Sequence, residues 1–313
     1  MVANLDKSVT FYKAIGFAQD PSLDSSWRKD AALDGLFGIK GAEYRTAKMT
    51  IYSNISGQPF AVYLRELKDV KRKSLAGHLF WEPSSTHFGL TVPDAEALWS
   101  QLTSSGMLWP RTRDGKLVAP PGQTKGTSGF ITDPDGLDIE LANQRAAMPA
   151  ENGRPANAGN PPGISHIGII ALDLDKMRAF YADVLGGEPL SIPTQWMQGD
   201  FVDSMTNSHG NIMRGSGELF PEAAAPASRM KLETLEYQNR KKPVEDYSIS
   251  DISVGYLGLQ VQDLDALLAR VNASGAKMIS LGGVIKLQDG SRAVLVRDPD
   301  VGAFVELFEP AKN

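Results

Sequence analysis

Two histidines and three glutamates are the groups best placed by type and context to do chemistry in this 313-residue chain. His87 opens the run His87-Phe88-Gly89-Leu90, and His166 lies inside the β-type stretch 164–172. Glu140, Glu233 and Glu306 each follow an apolar residue in a β-type run (IELAN, LETLEYQ and VELFEP). Strand alternation turns neighbouring residues to opposite faces, so each acid can face away from the apolar side of its sheet. By the same parity Glu236 and Glu309, three residues on, are expected to be exposed. Imidazole with carboxylate suits a divalent cation of hard or borderline type, or general acid–base work. The chain has no cysteine, so thiolate metal sites, Cys nucleophiles and disulfides are excluded. There is no Gly-x-Ser-x-Gly elbow, phosphate loop or dinucleotide-binding glycine motif. The other two histidines, His78 and His209, sit in loop-like stretches without a partner at recognisable spacing and read as surface or lid residues.

The elements that must hold these groups are written twice. Leu5-Asp6-Lys7 and Phe11-Tyr12 recur as Leu174-Asp175-Lys176 and Phe180-Tyr181, and His87-Phe88-Gly89-Leu90 recurs as Tyr256-Leu257-Gly258-Leu259. One offset fits all of them (174 − 5 = 180 − 11 = 256 − 87 = 169). The chain is a tandem duplication. Residues 146–163 are rich in Pro, Gly, Ala and Asn and read as a linker between copies at 1–145 and 164–313. Each copy divides again. Helices with apolar residues at i, i+3 and i+4 are expected near 6–15, 94–105 and 263–274, with another opened by Asp175 as N-cap and stopped at Gly186-Gly187. The turns Asp133-Pro134-Asp135-Gly136 and Asp298-Pro299-Asp300-Val301-Gly302 each join two β-type runs as a hairpin. The unit is therefore a strand, a helix and about three antiparallel strands (βαβββ), four times over. The stretch 201–229 has little regular pattern, and its glycine-rich part from Gly210 reads as a flexible loop.

The bulk numbers narrow the partners. A net charge of −5 argues against nucleic acid, whose phosphates need clustered Lys and Arg. No apolar run reaches the ~18 residues of a membrane span. The expected partner is a small-molecule substrate or ligand, with the protein a monomer or homodimer. No signal peptide opens at Met1, so the chain reads as cytoplasmic as written, or exported if a signal precedes it.

The LDKSVTFYKAIGF and LDLDKMRAFYADVLGG openings, the THFGLTVPD junction and the DPDGLDIEL and DPDVGAFVEL closings resemble the vicinal oxygen chelate superfamily. That superfamily includes glyoxalase I, extradiol dioxygenases and bleomycin-resistance proteins. The resemblance implies an α+β fold of four βαβββ units paired into two cup-shaped mixed-sheet domains. It also implies metal ligands on the first and last strand of each unit. Carried over residue by residue, it gives the C-terminal cup His166, Glu233 and Glu306, with Tyr256 at the fourth corner. The N-terminal cup receives His87 and Glu140, and is incomplete. Its first strand is expected to be missing or truncated, because the copy of His166 falls three positions before Met1, and Tyr63 or Leu64 takes the place of the acid. The implied cofactor is a divalent ion (Fe, Mn, Ni, Co or Zn). The implied function is a lyase, isomerase or dioxygenase acting on adjacent oxygens. Glu233 or Glu306 would move the proton and Tyr256 would stabilise an oxyanion. The alternative is a metal-free binding protein of the bleomycin-resistance type.

Overall fold

The structure is a computed structural model and describes residues 1–143, 162–191, 195–240, 242, 244 and 246–311. The expected linker therefore lies, apart from Pro162 and Gly163, outside the described residues. Unit one holds α1 (Leu5–Ala14), β1 (Ala18–Gln19), β2 (Arg28–Lys29), α2 (Ala31–Phe37), β3 (Glu43–Ser53) and β4 (Pro59–Lys68). Unit two holds β5 (Thr86–Val92), α3 (Ala95–Ser104), β6 (Ser128–Thr132) and β7 (Asp138–Asn143). Unit three holds β8 (Gly163–Ala171), α4 (Leu174–Arg178) continued by a π-helical turn Ala179–Val184, β9 (Glu188–Ser191), α5 (Asp200–Met205), β10 (Met213–Glu222) and β11 (Ala225–Tyr237). Unit four holds β12 (Tyr256–Gln260), α6 (Leu264–Ala273), β13 (Lys277–Met278), β14 (Ile285–Lys286), β15 (Arg292–Arg297) and β16 (Phe304–Glu309).

Local chemistry sets these boundaries. The helix after each unit's opening position starts on a side-chain cap: Asn4, Asp94, Asp173 and Asp263 each accept from backbone N–H groups of the first turn. Such a cap is worth about 1 kcal/mol. Asp173, not the expected Asp175, caps α4. The two Asp-Pro-Asp turns do more than reverse the chain. Asp135 accepts from Ala3 N and Ser8 Oγ, and Asp300 accepts from Leu172 N and Asp173 N. Each turn thereby ties an even unit to the start of the helix in the unit before it.

The larger sheet runs β6-β7-β5-β8-β11-β10-β9, with β3 and its partners β1, β2 and β4 joined through β8. The smaller runs β12-β16-β15-β13, with β14 on β15. Four apolar cores hold the units together. One buries α1 and α3 between units one and two, around Leu5, Phe11, Leu102 and Ile139. Its counterpart buries α4 and α6 between units three and four, around Met177, Phe180, Val271 and Val305. On the other faces, unit two meets unit three through Phe80, Phe130, Met213 and Tyr237, and unit one meets unit four through Phe37, Tyr44, Tyr247 and Phe304. Neighbours in sequence thus share their helix sides. Their open faces turn to the other copy.

Two expectations change for physical reasons. The glycine-rich stretch is not a loop: Gly215 and Gly217 lie mid-strand in β10, paired with Leu235 and Glu233. Glu236 and Glu309 are not exposed but 2% and 5% accessible, because helices cover the face that their parity selects. Arg214 and Arg292 meet them at 2.7 and 2.9 Å.

Glu218 gives this architecture a pH dependence. It faces α4 with no exposed surface, 3.8 Å from Arg178 Nε. Burial pushes its carboxyl up from 4.5 to about 7, against the pull of Arg178 and Ser216. A raised carboxyl contributes stability fully below about pH 4.5 and loses it as pH rises through about 7. A rise of that size corresponds to about 3 kcal/mol. The wild-type melting temperature is therefore expected to fall between pH 5 and 8, and Glu218→Gln to flatten that slope. Equal slopes in thermal melts of the two proteins would refute the assignment.

Candidate metal centre

Four strands at the middle of the larger sheet, β7, β5, β8 and β11, carry the candidate site. Their register sets two rows across the cup. In one row Asp138, His87, Gly168 and Glu233 lie side by side; in the next, Glu140, Gly89, His166 and Lys231 do. A pseudo-two-fold axis between β5 and β8 exchanges His87 with His166, Gly168 with Gly89, and Glu233 with Glu140. The first strands of units two and three pair antiparallel, which brings both histidines and both last-strand acids to one place.

One ligand atom from each of His87, Glu140, His166 and Glu233 lies within 4.8 Å of the others. Donors bound about 2.1 Å from one ion stand at most ~4.2 Å apart, so closure on a cation needs side-chain movements of roughly half an ångström to an ångström. The hydrogen-bond pattern fits such a cation. Both ring nitrogens of His87 and Nε2 of His166 are buried with no hydrogen-bond partner of acceptable geometry. His166 Nε2 is nevertheless 3.3 Å from Glu140 Oε2 and 3.7 Å from Glu233 Oε2, and His87 Nε2 is 3.6 Å from Glu233 Oε2. These distances set both nitrogens beside the two carboxylates.

Electrostatics agree. Burial disfavours charge on Glu233, yet His87, His166 and Lys231 outweigh it and hold the carboxyl well below its usual range. Burial also disfavours a charged His166, and the two carboxylates outweigh that, raising it. The negative field that would keep a proton on His166 is the field a cation would meet. Around the rings the cup is apolar. His87 lies 5.1 Å from Phe80 and 5.5 Å from Phe130, ring centre to ring centre, with Met205, Met213 and Tyr237 beyond.

The expected cups are corrected by this pairing. His166 and Glu233 meet His87 and Glu140, while Glu306 and Tyr256 lie in the other cup, between units one and four. Consecutive units pack on each other through their helices, and each cup is closed by one unit from each copy. In the second cup Gly258 pairs with Glu306 as Gly89 pairs with Glu140, which puts Tyr256 at the place of His87. Val2 bridges Glu66 as Ala171 pairs with Glu236, so Tyr63 stands where Glu233 stands (66 − 63 = 236 − 233). That settles the choice between Tyr63 and Leu64. The Arg65 guanidinium sits among the rings of Phe37, Tyr63 and Tyr256, 5.1 to 5.6 Å from each, and donates to the Tyr256 hydroxyl. Tyr256 in turn bonds Glu306, whose carboxyl is pushed up by burial against the pull of Arg65. An arginine thus provides the positive charge in this cup. Among the described residues no strand lies between β4 and β12. A cavity of about 1230 Å³ is lined there by residues 59–65 and 253–263.

His78 is not a surface residue. Its Nδ1 is 2.7 Å from Ser85 Oγ and its Nε2 3.2 Å from Glu82, an arrangement that staples the loop carrying Phe80. His209 is exposed. Sequence reasoning missed Gly89, Gly168, Lys231 and Arg65. The available signal was the His-x-Gly pair, intact only at His87 and His166.

Comparisons with known proteins give the family and the fold. A family model described as the Glyoxalase/Bleomycin resistance protein/Dioxygenase superfamily matches residues 1–141 and 163–306. A glyoxalase I mutant from Zea mays is similar in structure, with 18% identity, a TM-score of 0.60, and coverage of 98% of this chain and 90% of its own. A protein from Bacillus subtilis described as a dioxygenase, not yet assigned firmly, is similar at 12% identity and a TM-score of 0.53, over 100% of this chain and 83% of its own. At these identities the likeness concerns the fold. No curated protein sequence matches the chain.

Proposed function

The chain belongs to the glyoxalase/bleomycin resistance protein/dioxygenase superfamily, and from that premise we propose that it is a divalent-metal-dependent enzyme of lyase, isomerase or dioxygenase type. Its substrate is a small molecule with two adjacent oxygens. The observation that carries this reading is the convergence of His87, Glu140, His166 and Glu233 on one centre. Two imidazoles and two carboxylates suit Mn²⁺, Fe²⁺, Co²⁺, Ni²⁺ or Zn²⁺. Four donors to a six-coordinate ion leave two positions, the number that adjacent substrate oxygens require. A bound ion of this kind supplies Lewis-acid polarisation of a substrate oxygen.

The protein's own groups supply the rest. His87 and His166, fixed over their glycines, orient the substrate against the sheet. Glu140 and Glu233, at about a quarter and a fifth side-chain exposure, are the carboxylates within reach of a proton on the carbon beside a carbonyl. Phe80, Phe130, Met205 and Met213 exclude water from one side of the cup.

Metal analysis of the purified protein tests the reading, followed by chelator stripping, reloading with each of the five ions, and assay on a panel of α-hydroxycarbonyl compounds and vicinal diols. One ion per chain and turnover that follows reloading are expected. Absence of stoichiometric binding with every ion would defeat the proposal, and ligand binding indifferent to chelator would point to a metal-free binding protein.

A further inference from the structure

Resting on the reading of the four-residue centre as a metal site, we propose that Lys231 is a positioning residue that fixes Glu233 as a ligand through one oxygen. The argument starts from where the pseudo-two-fold symmetry fails. The axis that exchanges the histidines, the glycines and the glutamates also exchanges Lys231 with Asp138. These two carry opposite charge. Lys231 Nζ donates to Glu233 Oε1 at 2.6 Å. Asp138 instead accepts from Arg111 Nε at 2.9 Å, and Arg111 continues to the His78 carbonyl at 2.8 Å, away from the centre. One glutamate of the pair is therefore tied to a cation. No lysine or arginine among the described residues pairs with Glu140.

The lysine stem has a glycine as its neighbour on the next strand. Gly217 on β10 lies opposite Glu233. A Cβ there would stand 3.4 Å from Lys231 Cε and 3.3 Å from Leu190 Cδ2. The lysine stem thus passes at van der Waals range beside a residue without a side chain, where the atoms beyond a Cβ would crowd it. With Oε1 committed, only Oε2 faces the histidines, at 3.6 and 3.7 Å. The result is a carboxylate offered in one orientation and by one atom, whereas the second oxygen of Glu140 carries no such tie.

Lys231 has two opposing effects on a cation. Its charge repels the ion, and its hydrogen bond fixes the ligand. The ammonium is about a third exposed, which screens the repulsion. Outer partners of metal ligands typically contribute about 10- to 100-fold in affinity, so positioning dominates. Titration of the metal-stripped full chain with Co²⁺, followed by visible absorption, tests this. Lys231→Met and Gly217→Val are expected to bind Co²⁺ about 10- to 100-fold more weakly, with an altered spectrum as Glu233 gains its second oxygen. Lys231→Arg is expected to restore the wild-type spectrum and most of the affinity. Binding by Lys231→Met that is equal to or tighter than wild type would overturn the proposal and leave the metal site standing. Failure of the wild-type chain to bind Co²⁺ would instead remove the reading beneath it.

Discussion

Alanine in place of His166 is expected to lower divalent-metal affinity by two to three powers of ten, while alanine in place of Glu306 leaves it unchanged. Structural zinc binding is worth about 10–16 kcal/mol, so each of four donors carries about 2.5–4 kcal/mol, and each 1.4 kcal/mol is about tenfold. Glu306 lies in the other cup, so its loss removes no donor. Its substitution acts on stability instead. It strips Arg65 and Tyr256 of the carboxylate that completes their chain. Losing a hydrogen bond to a charged group costs about 1.5–3 kcal/mol, and the Tyr256 hydroxyl loses such a partner here. Calorimetric titration with Zn²⁺ and urea unfolding of both variants read the two effects separately. Loss of metal binding in Glu306→Ala would mean that the cups close within each copy. Retention of it in His166→Ala would mean that the four-residue centre is not the metal site.

This contrast also marks what the sequence made legible. The helices and the Asp-Pro-Asp hairpins were readable because their causes are local: a cap, an apolar stripe, a fixed φ at proline. The same locality made His87, His166, Glu140 and Glu233 noticeable as polar residues in apolar β runs. Which units face each other is not local. It depends on α1 and α3 sharing one core and α4 and α6 another, and on Asp135 and Asp300 tying even units to odd helices. The two aspartate ties span 132 and 128 residues. A linker composition that marks two copies says nothing about which faces they bury. Periodicity failed at β10 for a related reason. Gly215 and Gly217 erase the alternation that identifies a strand, and they are present because residues on neighbouring strands lie over them. Parity correctly separated Glu233 from Glu236, yet the second face proved to be covered by a helix rather than by water.

The cross-copy pairing explains why the two cups differ in kind. In a tandem duplication, residues at offset 169 occupy equivalent places, but each cup combines a first unit from one copy with a second from the other. Substitution at Tyr256 therefore changed one cup only. Arg65 in that cup and the candidate metal ligands in the other fit one cup kept for architecture and one proposed for chemistry. In the cup of His87 and His166 the buried imidazole nitrogens lack hydrogen-bond partners, so its stability without a cation rests on its apolar rim.

Gly168→Ala should therefore strike the candidate site directly. A Cβ at that position would lie 1.9 Å from His87 Cε1 and 2.2 Å from Nε2. The ring cannot swing aside easily, because Phe80 and Phe130 flank it and the His166 ring is 5.4 Å away. Overpacking of this kind costs about 1–3 kcal/mol, and the displaced imidazole is lost as a donor besides. A ligand at about 100 times its Kd stabilises a folded protein by about 2.7 kcal/mol. The wild type should show that gain in thermal melts with Zn²⁺, and Gly168→Ala should show almost none. Gly89→Ala should behave alike, since its Cβ would meet His166 Cε1 at 2.1 Å. Gly258 supplies the control within the same chain. It is the repeat of Gly89, but nothing lies within 4 Å of the Cβ it lacks. Gly258→Ala should keep the full metal-dependent gain and add up to about 1 kcal/mol through the unfolded state. If Gly168→Ala retained the Zn²⁺ gain of the wild type, His87 would have to bind from a different position, and the close passage of each ring over its glycine would not be what builds the site.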